Sequence, residues 1–254
     1  MTHDWNPSQY MKFAGHRLRP ALDLLARIDA DKPAIVYDLG CGPGNVTGLL
    51  ADRWPDAAVT GIDASADMLA KAKAEHPDIT WIEADLGHWS PEVPGDVIYS
   101  NAALHWLSDH RAVFPGLMEH LSPGGVLAVQ MPHNHAEPSH TAIREAAGPV
   151  LGKLEPVMRE TPVAAPEVYY DILEPVTGEL DIWETVYTQV LEGDNAVAEW
   201  TKGSVLKPLL DVLDEDERGA FFDTYSGLMQ KAYPVRADGK TLFPFRRLFI
   251  VARP

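Results

Sequence analysis

Asp38 stands two residues before the first of three closely spaced glycines, Gly40, Gly42 and Gly44, in the stretch VYDLGCGPGNVTGLL from Val36 to Leu50. Two more aspartates close apolar runs further on, Asp63 in GIDAS and Asp85 in EADL. Glycine in a turn between strand and helix lets backbone approach a ligand where a side chain would collide. Carboxylates only accept hydrogen bonds, so they suit a ligand rich in hydroxyl and amino donors. An acid placed just before the loop opposes a pyrophosphate. A P-loop requires Lys and then Ser or Thr after its last glycine, whereas Asn45 and Val46 follow Gly44. The dinucleotide fingerprint G-x-G-x-x-G fails at its third position, which is Asn45. The loop suits a ligand with an amino-acid group and no phosphates.

The elements that must carry these residues can be read from periodicity. LRPALDLLARI repeats apolar residues at helical spacing, and DADKP stops it. AIVYDL has the composition of a strand buried in a parallel sheet. A helix follows the glycines as far as Trp54. AAVTGID, ITWIEAD, DVIYSNA and PGGVLAVQM read as the next strands. Between them SADMLAKAKAEH is a helix with Ser65 as N-cap, and RAVFPGLMEHL is a helix expected to start or kink at Pro115. DIWETVYTQVL and the terminal TLFPFRRLFIVARP supply two late strands. The expectation is an α/β fold: a doubly wound, seven-stranded, Rossmann-like sheet whose last strand is antiparallel. Residues 1–254 are read as one domain, with helical insertions over 132–176 and 195–235 forming a lid over the active site.

Composition narrows the function classes. With 21 basic against 37 acidic side chains the formal charge is −16, a poor match for nucleic-acid backbones. An anionic ligand then needs a local cation that works against the global field. The single cysteine, Cys41, allows neither an intrachain disulfide nor a cysteine-rich zinc site. No apolar run reaches membrane-spanning length. A cytoplasmic protein without nucleic-acid or membrane partners, monomeric or a weak homo-oligomer, is expected. MPHNHAEPSH carries three histidines, but their spacing matches no established ligand pattern, so no metal is expected.

DLGCGPGNVT resembles the first motif of the class I S-adenosylmethionine-dependent methyltransferases, and the resemblance continues in order. It implies that Asp63, nineteen positions after Gly44, grips both ribose hydroxyls of the cofactor. It implies that Asp85 accepts from the adenine amino group, and that SNAALHWL lines the sulfonium and the substrate. The cofactor set carried over motif by motif is Asp38, Gly40, Cys41, Gly42, Asp63, Ala64, Met68, Asp85, Leu86, Asn101 and Ala102. Tyr10 is expected to close over the cofactor from the N-terminal segment, with Trp5 beside it on the substrate side.

A narrower likeness names an acceptor class. DWNPSQYMKF, RLRPALDLLARI, NAALHWLSDH and LFPFRRLFIVA together resemble the bacterial trans-aconitate 2-methyltransferase family, with His105 where glutamine is expected. The resemblance implies methyl transfer to one carboxylate of a small tricarboxylate, giving a monomethyl ester and S-adenosylhomocysteine. A carboxylate is already ionised at neutral pH, so a positioning mechanism with no catalytic base suffices. Besides Trp5, the candidates for substrate contact are His105, Trp106, His133, Lys202, Arg246 and Arg247. The two arginines are strand neighbours and should face opposite sides; Arg246 is the favoured anchor. Another acid or natural product as acceptor, or a cofactor-binding protein without transfer activity, is the competing reading.

Overall fold

Val36 and Leu39 are fully buried on β1 (Ile35–Leu39), the strand that ends in the glycine loop. It lies between β2 (Ala58–Asp63) and β4 (Gly95–Asn101), parallel to both. A strand flanked on two sides and covered on two faces must be apolar throughout, which explains its unbroken IVY start. The computed structural model describes residues 18–158 and 163–254, so Trp5 and Tyr10 lie outside the described residues. The sheet continues through β3 (Thr80–Glu83) on one side, and through β5 (Leu121–Pro132), β7 (Lys240–Arg253) and β6 (Glu179–Glu192) on the other. Its order is β3-β2-β1-β4-β5-β7-β6, and β7 runs antiparallel to β5. The seven strands and the antiparallel last strand match the expectation.

Helices alternate with the first strands. They are α1 (Arg19–Ala26), α2 (Asn45–Arg53), α3 (Ala66–Glu75) and α4 (His110–Glu119). Ser65 caps α3 by accepting from the Met68 amide at 3.4 Å, as its position predicts. Helix α4 differs from expectation. It runs through Pro115, because Asp109 caps its start by accepting from the Ala112 amide at 3.2 Å. Proline costs one helical hydrogen bond there, and burial of Phe114, Leu117 and Met118 offsets the loss.

The described chain forms two compact units. One comprises 18–132, 163–185 and 247–254, and the other 133–158 and 186–246. The larger holds the sheet core, where Leu39, Ile62, Ile98, Leu127 and Leu248 meet Phe114, Leu117, Tyr169 and Leu173. Helix α7 (Pro166–Leu173) belongs to this core through Tyr169 and Leu173, so the segment read as one insertion, 132–176, divides between the two units. The smaller unit has its own core. Helix α5 (Pro138–Ala147) contributes Ile143 and Ala147, α6 (Leu151–Leu154) Leu154, α8 (Ala196–Lys202) Val197, and α9 (Lys207–Asp211) Leu209. Helix α10 (Glu215–Ala232) adds Phe221, Tyr225 and Met229. A capping box between Asp214 and Glu217 starts α10, and the Tyr225 hydroxyl donates to the Ser139 carbonyl at 2.8 Å, pinning α10 to α5.

Candidate cofactor and acceptor site

Sheet order reverses between β1 and β4, so the chain leaves their carboxyl ends in opposite directions and opens a crevice. The glycine loop occupies that position. Gly40 has φ 75°, and a Cβ there would lie 2.0 Å from the Ala103 Cβ. Gly44 has φ 87°, starts α2, and would set a Cβ 2.7 Å from the Trp81 ring. These two glycines are demanded by backbone conformation and by close packing. Gly42 differs: among the described residues nothing stands within 4 Å of the Cβ position on its face. That open face gives a ligand room to approach the backbone.

Asp63, at the end of β2, holds the loop from the far side of the crevice. Its Oδ2 accepts from the Gly42 amide at 2.8 Å and its Oδ1 from the Ser65 amide at 2.9 Å. Each oxygen keeps a second acceptor site, so the half-buried carboxylate can still take two vicinal hydroxyls. Asp38 is only 2 % exposed, and its Oδ2 accepts from the Thr47 hydroxyl at 2.6 Å. Burial pushes its pKa up to about 7, the Thr47 bond opposes the rise, and the nearby Asp63 charge adds to it. A buried acid beside a second carboxylate favours a cationic ligand and repels phosphates. Burial and the same two acids push the Cys41 thiol well up as well, so this buried side chain packs the loop rather than acting as a nucleophile.

Asp85 follows β3 on an exposed turn. It accepts from the Gly87 amide at 2.9 Å, and that bond, with the His88 ring at 3.3 Å, holds its pKa below the usual value. The exposed carboxylate is therefore held in its ionised form. Ala64 and Met68 are exposed beside Asp63, and Leu86 is half-buried beside Asp85.

After β4 the chain turns sharply. Ala102 adopts φ 54°, a left-handed conformation that costs a residue with a Cβ about 1–2 kcal/mol. Its amide donates to the Gln130 carbonyl at 2.8 Å. The turn Leu104–Trp106 follows, with the His105 and Trp106 rings 4.7 Å apart and Trp106 60 % exposed. Buried His110 holds this turn. A carbonyl only accepts, so the ring Nε2 donates to the Leu104 oxygen at 2.9 Å, and Nδ1 accepts from the Tyr169 hydroxyl at 2.7 Å. Burial lowers the His110 pKa, which keeps that neutral tautomer.

The structure separates the other candidate cations. Arg247 donates from Nη1 to Gln130 Oε1 at 3.4 Å within the larger unit. Arg246 belongs to the smaller unit, where its Nε lies 3.9 Å from Glu137 and its carbonyl accepts from the His133 amide at 2.9 Å. Lys202, on α8, sits 3.4 Å from Glu199 and 4.3 Å above the Phe222 ring. Among the described residues, no three His, Cys, Asp or Glu side chains converge as a metal-ligand set.

The sequence reading missed three partners. Thr47 gave no signal, since its role depends on α2 folding back against β1. His110 stood inside a quoted motif without a role. Gln130 was visible as one polar residue inside the apolar run VLAVQM.

Comparison with known proteins decides what this crevice belongs to. Residues 36–125 match a family model described as a methyltransferase domain. A trans-aconitate 2-methyltransferase from Azoarcus sp. (strain BH72) is 48 % identical over 248 residues, 98 % of each chain. Proteins of that name from Rhodopseudomonas palustris (strain BisB18) and Klebsiella pneumoniae (strain 342) are also 48 % identical, again over 98 % of each chain. The chain belongs to the trans-aconitate 2-methyltransferase family. Members of that family are class I S-adenosylmethionine-dependent enzymes, and the crevice fits that cofactor in the open Gly42 face, the Asp63 acceptors and the acidic field. Solved structures agree on the fold. Phosphoethanolamine N-methyltransferase 2 of Haemonchus contortus, a complex with phosphomonomethylethanolamine and S-adenosylhomocysteine, superposes with a TM-score of 0.57 at 16 % identity, over 93 % of this chain and 52 % of that one. The YcgJ protein of Bacillus subtilis gives 0.57 at 12 % identity, over 92 % of this chain and 97 % of that one. No described helix of this family member is long and apolar enough to cross a membrane.

Proposed function

We propose that the chain transfers the methyl group of S-adenosylmethionine to one carboxylate of trans-aconitate, yielding the monomethyl ester and S-adenosylhomocysteine. The observation that carries this reading is identity of 48 % along 98 % of the chain with relatives of that name. Bound S-adenosylmethionine supplies a methyl group on a sulfonium, whose leaving group is a neutral thioether. Asp63 holds the ribose, Asp85 faces the adenine amino group, and Asp38 with the Gly42 backbone receives the amino-acid end. The acceptor carboxylate arrives ionised, so no residue removes a proton from it and no metal ion is required. What the protein adds is alignment of the carboxylate oxygen with the methyl carbon and the sulfur.

Arg247 anchors the tricarboxylate in this reading, in preference to Arg246. A guanidinium fork pairs with a carboxylate at two points, and Arg247 lies on the unit that bears the glycine loop, whereas Arg246 lies beside Glu137. His105 and exposed Trp106 line the acceptor side of the crevice. With a charge of −16 the enzyme is read as cytoplasmic, without nucleic-acid or membrane partners, and monomeric or weakly self-associating.

The two arginines test the reading. Arg247→Ala should raise KM for trans-aconitate by about 30-fold or more, the loss of a two-point charged contact, and leave S-adenosylmethionine affinity unchanged. Arg246→Ala should change KM by about threefold or less, as for a partly exposed ion pair. Equal, small effects from both would place the anchor elsewhere. Turnover of a different di- or tricarboxylate in preference to trans-aconitate would replace the acceptor.

A further inference from the structure

The Leu104 carbonyl opens the short turn Leu104–Trp106, and both of its lone pairs are taken. The Leu107 amide donates to it at 2.9 Å, and the His110 ring Nε2 does the same at 2.9 Å. The first bond is local and closes the turn. The second comes from α4 and ties the turn to the body of the larger unit. The path continues from the other ring nitrogen. Nδ1 accepts from the Tyr169 hydroxyl at 2.7 Å, and that oxygen accepts in turn from the Ala164 amide at 3.2 Å. An amide and a carbonyl fix the two ends, so one tautomer of His110 and one orientation of the Tyr169 hydroxyl satisfy the whole path.

Packing does not require these polar atoms. Tyr169 is fully buried and His110 is 7 % exposed. With Phe114 they form a cluster of three rings whose centroids lie 5.1, 5.4 and 5.7 Å apart. Phenylalanine at both positions would fill that space without desolvating an imidazole and a phenol. What two phenylalanines could not do is hold the Leu104 carbonyl. One residue earlier the chain is wedged against the glycine loop, where the Ala103 Cβ leaves no room for a side chain at Gly40. The turn is thus gripped twice, at Ala103 by the cofactor loop and at Leu104 by His110. His105 and Trp106 follow at once.

We propose that His110 and Tyr169 are positioning residues for methyl transfer: through the Leu104 carbonyl they fix the turn that carries His105 and Trp106, and so set the direction from which the acceptor carboxylate meets the methyl group. This inference rests on that turn bordering the acceptor, as in the function proposed above. Both residues act through the backbone rather than on the substrate. A turn released from His110 still binds the acceptor but no longer holds its oxygen in line with the methyl carbon and the sulfur. The loss therefore falls on kcat rather than on KM or cofactor affinity.

Full-length His110→Phe, His110→Gln, Tyr169→Phe and Trp106→Ala would be compared with wild type in four measurements: kcat and KM for trans-aconitate, calorimetric affinity for S-adenosylmethionine, and melting temperature. Phenylalanine keeps the ring packing and loses both hydrogen bonds, whereas glutamine keeps a donor for Leu104 and gives up the ring. His110→Phe is expected to lower kcat by about 30-fold, with KM changed less than about threefold and cofactor affinity less than about twofold. His110→Gln should retain about tenfold more of kcat than His110→Phe, yet melt at a lower temperature, because it buries an amide in place of a ring. Activity and stability then rank in opposite orders, which a structural role alone does not produce. Tyr169→Phe leaves Nδ1 without its donor, frees the other tautomer, and should lower kcat by about three- to tenfold.

A kcat in His110→Phe equal to or above that of His110→Gln refutes the inference, as does a normal kcat in Tyr169→Phe. Unchanged kinetics in Trp106→Ala refute an acceptor face on this turn, and the inference with it. Impaired Trp106→Ala beside a normal His110→Phe refutes the inference alone and leaves the proposed acceptor side standing. Preference of the wild type for another carboxylic acid replaces the acceptor, and the same ranking of variants on that acid then decides. Should neither His110 variant fold, Tyr169→Phe and Trp106→Ala settle the matter.

Discussion

Asp38→Asn isolates the most unusual electrostatic feature of the site. The folded protein holds the Asp38 carboxyl at a pKa of about 7, against 3.8 for the unperturbed group, and the cause is burial. The sign follows from proton counting. Between those two values the folded state keeps a proton that the unfolded chain has lost, so Asp38 makes the protein less stable as pH rises. From pH 5 to pH 8 the loss from this one group is roughly 2–3 kcal/mol. Asparagine keeps an acceptor for the Thr47 hydroxyl and removes the titration. Denaturant unfolding of the cofactor-free protein at the two pH values should therefore show the variant gaining about that much on wild type. Cofactor binding should move the opposite way. Only about a tenth of Asp38 is ionised one unit below its pKa and about nine-tenths one unit above it, so affinity for the cationic cofactor should rise about tenfold from pH 6 to pH 8. S-adenosylhomocysteine keeps the same amino-acid group and should show a similar rise, and Asp38→Asn none. Parallel stability curves for wild type and variant would refute the buried-acid argument. A cofactor affinity that does not change between pH 6 and pH 8 would refute its role at the amino-acid end.

Asp63→Ala should weaken S-adenosylmethionine binding by about 1–3 kcal/mol by calorimetry, because charge-assisted hydrogen bonds to the ribose are lost; unchanged affinity in a folded variant would remove the ribose assignment. Gly40→Ala should cost about 2 kcal/mol or more of stability and abolish cofactor binding, since its Cβ would stand 2.0 Å from that of Ala103 at a left-handed φ; a thermal scan together with calorimetry checks it, and a normal melting temperature would mean that the turn relaxes freely.

Much of this protein is legible along the chain because the decisive interactions are local. Strand β1, the glycine turn and helix α2 are contiguous, so spacing alone announces a loop that brings backbone to a ligand. Asp63 ends β2 and Asp85 follows β3 by two residues, and a parallel sheet carries its strand ends to one edge, so order along the chain places both beside the crevice. The start of α4 escaped the reading because a capping aspartate six residues upstream outweighed Pro115, and both signals were present in the sequence. Likewise, position along the chain groups α7 with the lid, yet Tyr169 and Leu173 pack into the sheet core, a choice of partner that helical periodicity does not encode. The arginine pair shows the limit most clearly. Alternation along a strand required Arg246 and Arg247 to face opposite sides, but only the pairing of β7 with β5 set Gln130 beside Arg247, and only folding of the smaller unit set Glu137 near Arg246. Asp38 follows the same rule. Its position before the loop is plain in the sequence, whereas its raised pKa is the balance of burial and the Asp63 charge against the Thr47 hydrogen bond, groups that lie together only after three separate elements have packed. Local spacing determines which groups a segment can offer; solvent exclusion and cross-strand register, which depend on residues distant in sequence, decide their charge and their partners.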